Sequence, residues 1–157
     1  MKKKLCYISL LATPFILAAC SGSKSTTDSM NIQTSQKNTD DSKASETKFA
    51  NYLEITPENL RTVADGSNDK KQIVMIDIKA VNTSAEKTGI GAYDFKLKVK
   101  DKEVTPYENA ENFGLDIESK KEAKGTLSFQ IDKGEKEFTL SYNPHGKELA
   151  SWKFNVN

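Results

Sequence analysis

Tyr93-Asp94-Phe95-Lys96-Leu97-Lys98-Val99-Lys100 alternates apolar and charged side chains at every step. A period of two puts Tyr93, Phe95, Leu97 and Val99 on one face and the aspartate and lysines on the other, the pattern of a strand with one face in a core and one in water. Upstream, Gln72 to Asn82 sets Val74, Ile76, Ile78 and Ala80 on one face, with Ile73, Met75 and Val81 partly covering the other. That strand is expected centrally, covered on both sides. Downstream, the same alternation groups Leu127, Phe129 and Ile131 in Thr126 to Asp132, Phe138, Leu140 and Tyr142 in the next run, and Trp152, Phe154 and Val156 in Ser151 to Asn157. Asp132-Lys133-Gly134-Glu135 and Asn143-Pro144-His145-Gly146 are turn sequences between them.

Weaker signals complete the count. Lys102 to Pro106 is expected to pair with Tyr93 to Lys100 through Asp101-Lys102, and Tyr52 to Ile55 to supply an edge strand. Thr56-Pro57-Glu58-Asn59 has a capping threonine followed by proline, which opens a helical turn, and Glu108 to Phe113 is read as another. About seven short strands with regularly spaced turns predict an all-β domain, a two-sheet antiparallel sandwich, with an open barrel as the alternative.

Outward from this domain, 49–157, the composition changes. Ser21 to Lys48 is rich in Ser, Thr, Asn, Gln, Asp and Lys, with only Met30 and Ile32 as larger apolar residues. Lys24, Lys37, Lys43 and Lys48 balance Asp28, Asp40, Asp41 and Glu46. Such a stretch buries too little apolar surface to offset its ordering entropy, so 20–48 is expected to be a disordered tether with a root-mean-square reach of about 30 Å.

Before the tether, Lys2, Lys3 and Lys4 precede an apolar run from Leu5 to Leu17 that closes on Leu17-Ala18-Ala19-Cys20. The run is shorter than the ~20 residues a bilayer core demands, and Pro14 interrupts it. It resembles a bacterial lipoprotein signal peptide, 1–19, cleaved before Cys20. The resemblance implies a diacylglyceryl group of palmitate type on the Cys20 thiol, and two acyl chains anchor far more firmly than one. The expected location is the cell membrane, lipid-anchored and facing outside the cytoplasm.

Removing the three leader lysines takes the formal charge from +1 to −2, which gives no electrostatic case for nucleic acid. Arg61 is the single arginine beside 22 lysines, and lysine is the poorer residue for bidentate phosphate or carboxylate recognition. Cys6 leaves with the leader and Cys20 carries lipid, so the domain has no thiol for a disulfide, a zinc-thiolate site or a nucleophile.

Val74 to Asn82 running into Asn82-Thr83-Ser84, then Tyr93 to Leu97, Lys124-Gly125-Thr126-Leu127-Ser128-Phe129 and Phe138 to Pro144 resemble the telokin-like domain of secreted Gram-positive proteins. That family includes the mycobacterial immunoprotective extracellular protein group, and the likeness covers Phe49 to Asn157. It implies an immunoglobulin-like β-sandwich and a low-GC Gram-positive source. It carries over no catalytic residue. Asp101-Lys102 departs from the family's usual Asp-Gly after Val99.

Chemistry is sparse. His145 is the only histidine and sits between Pro144 and Gly146, a setting of exposed turns, and one imidazole without a thiolate makes no histidine-rich metal site. Asp65, Ser67 and Asp69 alternate like the start of a calcium loop, but the sixth and twelfth places hold Lys70 and Ile76, so the EF-hand pattern fails. A calcium site of another kind is left open. Asp77, Asp94, Asp116, Glu118 and Asp132 are carboxylates of the right type for glycoside hydrolysis, yet most fall on solvent faces. Asp77 stands apart, because its strand is otherwise apolar on both faces; it is expected either to accept hydrogen bonds from a neighbouring element or to face a gap. Aromatic residues are the remaining candidates for a contact surface: Tyr107 and Phe113, in the turn-like stretch Pro106 to Ser119, are assigned to partner binding.

These features predict a non-enzymatic binding or interaction module, without cofactor or metal, that meets an envelope protein or a cell-wall polymer. The alternatives are a structural or protective accessory of a transport or secretion system, or an exclusion factor; a small hydrolase is disfavoured by the lone turn histidine. The oligomeric state is open.

Overall fold

The computed structural model describes residues 46–156. The predicted signal peptide, Cys20 and the tether as far as residue 45 lie outside the described residues. Ten strands follow: β1 (Lys48–Ala50), β2 (Leu53–Ala64), β3 (Lys71–Asn82), β4 (Thr88–Gly91), β5 (Phe95–Val99), β6 (Lys102–Val104), β7 (Gly114–Ile117), β8 (Glu122–Asp132), β9 (Glu137–Tyr142) and β10 (Ala150–Asn155). One sheet has the order β1-β2-β3-β8, the second β10-β9-β5-β6, and β4 and β7 form a two-stranded ribbon. Every pair is antiparallel. The chain places β2, β3 and β8 in one sheet and β5, β9 and β10 in the other, the strand distribution of an immunoglobulin-like sandwich.

The core lies between the two sheets and follows the period-two reading. Val74, Ile76, Ile78 and Ala80 of β3 and Leu127, Phe129 and Ile131 of β8 are buried opposite Phe95, Leu97 and Val99 of β5 and Phe138, Leu140 and Tyr142 of β9. The rings of Phe95 and Tyr142, on paired strands, lie 5.1 Å apart in a tilted arrangement, which adds a favourable quadrupole term to their burial. As expected, β3 is central in its sheet; its outer face, Ile73, Met75, Asp77, Lys79 and Val81, is half-buried under neighbouring side chains and carries no second layer.

Several sequence expectations are corrected. Tyr93 leaves the alternation: Ala92–Asp94 is a 3-10 turn in which the Asp94 carboxylate accepts the Gly91 N–H at 2.8 Å, and Tyr93 is exposed. Thr56 to Asn59 is strand and not a helical turn, because β3 pairs with it on both sides of a β-bulge. Leu53, Ile55 and Pro57 are buried on odd positions, and burial resumes on Leu60; Glu58 and Asn59 together oppose Asp77, so one extra residue shifts the phase. Of the expected edge strand Tyr52 to Ile55, Tyr52 lies in the β1–β2 turn and Leu53 to Ile55 open an internal strand, and β1 takes the edge. Glu108 to Phe113 contains a turn closed by Ala110 N–H on the Tyr107 carbonyl at 3.0 Å, with no helix. The β5–β6 hairpin turns on Lys100-Asp101, with Lys100 at φ +54°.

Two contacts fasten the edges. Trp152 Nε1 donates to the Glu46 carbonyl at 2.6 Å, and Lys48 sits over the Trp152 ring, so the residues entering the domain are pinned to its last strand. Along the open edge of β8, the Tyr107 N–H donates to the Ser128 carbonyl at 2.8 Å. That bond ties the connection between β6 and β7 against the edge and occupies one of its carbonyls.

Candidate functional site

Asp77 is the first place where polar chemistry collects. The bulge brings Asn59 and Arg61 to one side of its carboxylate, where Oδ2 accepts from Arg61 Nη1 at 2.9 Å and from Asn59 Nδ2 at 3.2 Å. Thr126, directly opposite on β8, donates to Oδ1 at 2.8 Å. Burial works against the charge of Asp77, but the hydrogen bonds from Thr126, Arg61 and Asn59 and the Arg61 charge outweigh it and hold the carboxyl below its usual range. Beside it, Lys79 and Lys124 face each other across β3 and β8, and Glu58 of the bulge reaches both, at 3.9 and 3.0 Å. The lone arginine and the anomalous aspartate of β3 are therefore partners, and the bulge supplies the counter-charge that two opposed lysines require.

This network sets the response to acid. Asp77, Asp65 and Asp132 all have folded-state carboxyls held low, Asp65 by the Ser67 hydroxyl and amide and by Gln130, Asp132 by Lys71. A carboxyl that is more acidic folded than unfolded adds stability that is full above its unfolded value of about 4 and is lost as pH falls through the folded value. Urea midpoints are expected to be level from about pH 7 to 5 and to fall below about pH 4, with a shallower fall in Asp77→Asn.

The other sequence candidates scatter. Asp94 caps its 3-10 turn, Asp116 and Glu118 both pair with Lys87, and Asp132 pairs with Lys71, so these acids do not converge with Asp77 on one cleft. Among the described residues no group of three His, Cys, Asp or Glu side chains is placed to hold a metal. His145 is exposed at φ +58° between buried Pro144 and Gly146. Tyr107 is half-buried, its hydroxyl accepting from Asn109 Nδ2 at 3.1 Å. Phe113 is half-buried against the core, 6.5 Å from the Phe95 ring, and lies over Gly125 of β8. Cys20 lies outside the described residues.

One end of the sandwich gathers features that period-two reading does not report. The β1–β2 turn, Asn51-Tyr52, takes φ of +52° and +63°. Thr83 donates to the Tyr52 carbonyl from both N–H and hydroxyl, at 2.9 and 2.8 Å, and the Lys120 ammonium donates to the Thr83 carbonyl. The Asn51 side chain lies beside the Tyr142 phenol, whose ionisation burial opposes; the Tyr142 carbonyl accepts the Leu149 N–H at 2.9 Å, and the next residue, Asn143, donates its N–H to the Asp94 carbonyl at 2.6 Å. These bonds bring five loops together around Tyr142 and Thr83. Among the described residues five non-glycine residues have positive φ: Asn51, Tyr52, Lys120 and His145 are all at this end, and only Lys100 is at the other. Tyr52 and Tyr93 are 64% and 65% exposed here, with Leu149 also partly in water. A bulky residue in the left-handed region costs roughly 1–2 kcal/mol, and Tyr52 recovers little of that by burying its ring.

The model of a family described as a domain of unknown function, DUF4352, matches residues 25–149. Nothing among the curated proteins matches. Among solved structures, ycdA of Bacillus subtilis, assigned as a lipoprotein, superimposes with a TM-score of 0.58 at 19% identity, over 70% of this chain and 38% of that one. This chain therefore spans well under half of the ycdA chain. The yjhA protein of Bacillus subtilis gives 0.53 at 20% identity over 71% of this chain and 96% of that one, and a functionally unknown protein of Listeria monocytogenes gives 0.52 at 14% over 74% and 85%. At these identities the likeness establishes the fold. No helix among the described residues is long and apolar enough to cross a membrane.

Proposed function

This chain belongs to the DUF4352 family, and from that premise we propose that it is a lipid-anchored extracytoplasmic lipoprotein whose sandwich is a non-enzymatic binding module of the cell envelope, with the Tyr52–Tyr93 end as its contact surface. The observation that carries the reading is the concentration of left-handed non-glycine residues at that end together with two exposed tyrosines. Strained backbone and exposed rings lower stability, and such features gather where a surface is used. Tyrosine suits the role because it offers a large rigid ring and a polar tip at little entropic cost. The leader pattern closing on Cys20 supports export and lipid attachment, and the assignment of ycdA as a lipoprotein is in keeping with it. The telokin-like resemblance belongs to the same reading and draws support from the immunoglobulin-type strand distribution. Tyr107 serves as a flanking contact on the β8 edge, while Phe113 packs over Gly125 against the core.

The test places a photo-crosslinking amino acid at position 52 or 93 of the full chain in intact cells, with position 63, exposed at the opposite end, as the control. Discrete adducts from 52 and 93 but not from 63, on protein that detergent releases and high salt does not, are the expected result. Tyr52→Gly adds the decisive arm: Asn-Gly is the preferred pair for this turn, so the variant should be more stable by about 0.5 kcal/mol while adduct formation from position 93 drops. Equal adducts at all three positions remove the contact surface, and release by salt alone removes the anchor.

A further inference from the structure

A strained turn joins β1 to the body on which it packs. β1 pairs with β2 at three positions, Lys48 with Ile55, Phe49 with Glu54 and Ala50 with Leu53. Around those pairs the Thr47 hydroxyl meets that of Thr56 at 2.7 Å, the Glu46 carbonyl accepts from Trp152 Nε1, and Ala50 is buried in the core. Only the two-residue turn Asn51-Tyr52 makes these contacts intramolecular, and both of its residues are left-handed, at φ +52° and +63°. Asparagine tolerates that region; tyrosine does not. One further step of the same register would pair Asn51 with Tyr52, which a single chain cannot do with itself. Two copies about a two-fold axis can, because Asn51 of each then faces Tyr52 of the other and no residue is left over. The far side of the turn is already in strand register: the pairing of Leu53 with Asn82 continues in the Thr83 N–H that donates to the Tyr52 carbonyl.

We propose that β1 exchanges between two copies of this chain, the turn opening so that residues 46–50 of each copy complete the sheet and the Trp152 contact of the other. Each β1 contact that breaks is remade with the same atoms, so the two forms differ at the turn. There a left-handed tyrosine becomes an extended one, the conformation that aromatic side chains favour. Short hinges under strain invite exchange for this reason. Association costs freedom of motion, so the closed monomer prevails in dilute solution and the exchanged pair at high local concentration. β1 also leaves easily, being a three-residue edge strand, while β2, β3 and β8 keep their ladders. Exchange therefore proceeds in the folded protein without denaturant. The inference goes beyond the envelope partner proposed for the tyrosine end and does not rest on it; the two would compete for Tyr52.

The test uses the chain from residue 20 with Cys20→Ser, so that introduced cysteines are its only thiols. Phe49 and Glu54 are both exposed and face each other across the β1–β2 pair, close enough for a disulfide. One preparation carries Phe49→Cys and the other Glu54→Cys. They are mixed without denaturant at about 1 mM, the effective concentration of a short linker, and then oxidised. A heterodimer bridged from 49 to 54, above the background of each variant oxidised alone, is the expected result. Tyr52→Gly in both preparations relaxes the closed turn and should lower the dimerisation constant about a hundredfold, roughly tenfold for each copy. Tyr52→Asn, which tolerates the left-handed region with a side chain in place, should act in the same direction and decides if the glycine variant folds poorly. No 49–54 bridge above background, or a bridge undiminished by relaxing the turn, overturns the inference. In intact cells an adduct of position 52 with the chain itself reports exchange and one with another molecule reports the partner, so either idea can fail alone.

Discussion

Asn82→Ala is expected to lower the unfolding free energy by about 3 kcal/mol, one of the two largest single effects in the domain. The side chain is fully buried at the end of β3 and uses every bond it has. Nδ2 donates to the carbonyls of Glu86 at 2.7 Å and Ile117 at 2.8 Å, and Oδ1 accepts the Ser84 N–H and hydroxyl, both at 2.8 Å. Alanine strands those groups, and each buried group left unpaired costs about 1–3 kcal/mol. A fall of roughly 10 °C or more in the thermal midpoint is the readout. Asn82→Asp gives a signed control. Its carboxylate would face two carbonyls in a buried place, so its folded-state ionisation is pushed upward and its penalty is greatest at neutral pH. Protonation restores one donor, so this variant alone should gain stability relative to the parent as pH falls from about 7 to 5.

Gly125→Ala is the second, expected to cost about 2 kcal/mol by overpacking. A Cβ at this position would stand 2.5 Å from the Phe113 ring, and that ring is itself held between β8 and Phe95. The proof lies in coupling. Phe113→Ala removes a half-buried ring and should cost about 2 kcal/mol alone, but Gly125→Ala added to it should cost almost nothing, since the clash has gone. Additive losses would mean that Gly125 matters for its backbone and not for the ring above it. Gly125 sits in the Lys124-Gly125-Thr126 stretch whose resemblance suggested the fold, and its requirement is a matter of space: its φ is not in the left-handed region.

How far the sequence could be read follows from which forces repeat. Phe95, Leu97 and Val99, or Val74, Ile76 and Ile78, are legible because burial on one sheet face recurs every second residue. Asp77 was legible as an exception for the same reason, though its partners were not, since Arg61 and Asn59 reach it through a bulge that a one-residue change of phase after Pro57 encodes only faintly. Tyr93 misled because a 3-10 turn set by one Asp94 bond can sit at the head of an unbroken alternation. The ribbon of β4 and β7 passed unseen: four residues each, two glycines in the first, and no pattern long enough to count. The tyrosine end escaped for a different reason. Left-handed turns are normally announced by glycine, and here Tyr52, Lys120 and His145 occupy them, so the very substitution that marks the surface hides it.

The bond from Trp152 to Glu46 has a mechanical meaning. A pull applied through the residues before Glu46 does not reach β3 or the core first; it loads the indole hydrogen bond, then the Thr47–Thr56 hydroxyl pair at 2.7 Å, and then the three-residue strand β1, which meets β2 at only three positions. Bonds opened one after another yield at low force, whereas the long β2–β3–β8 ladder resists as a block. β1 is thus a fuse: under tension it peels away and releases a few residues while the sandwich stays shut.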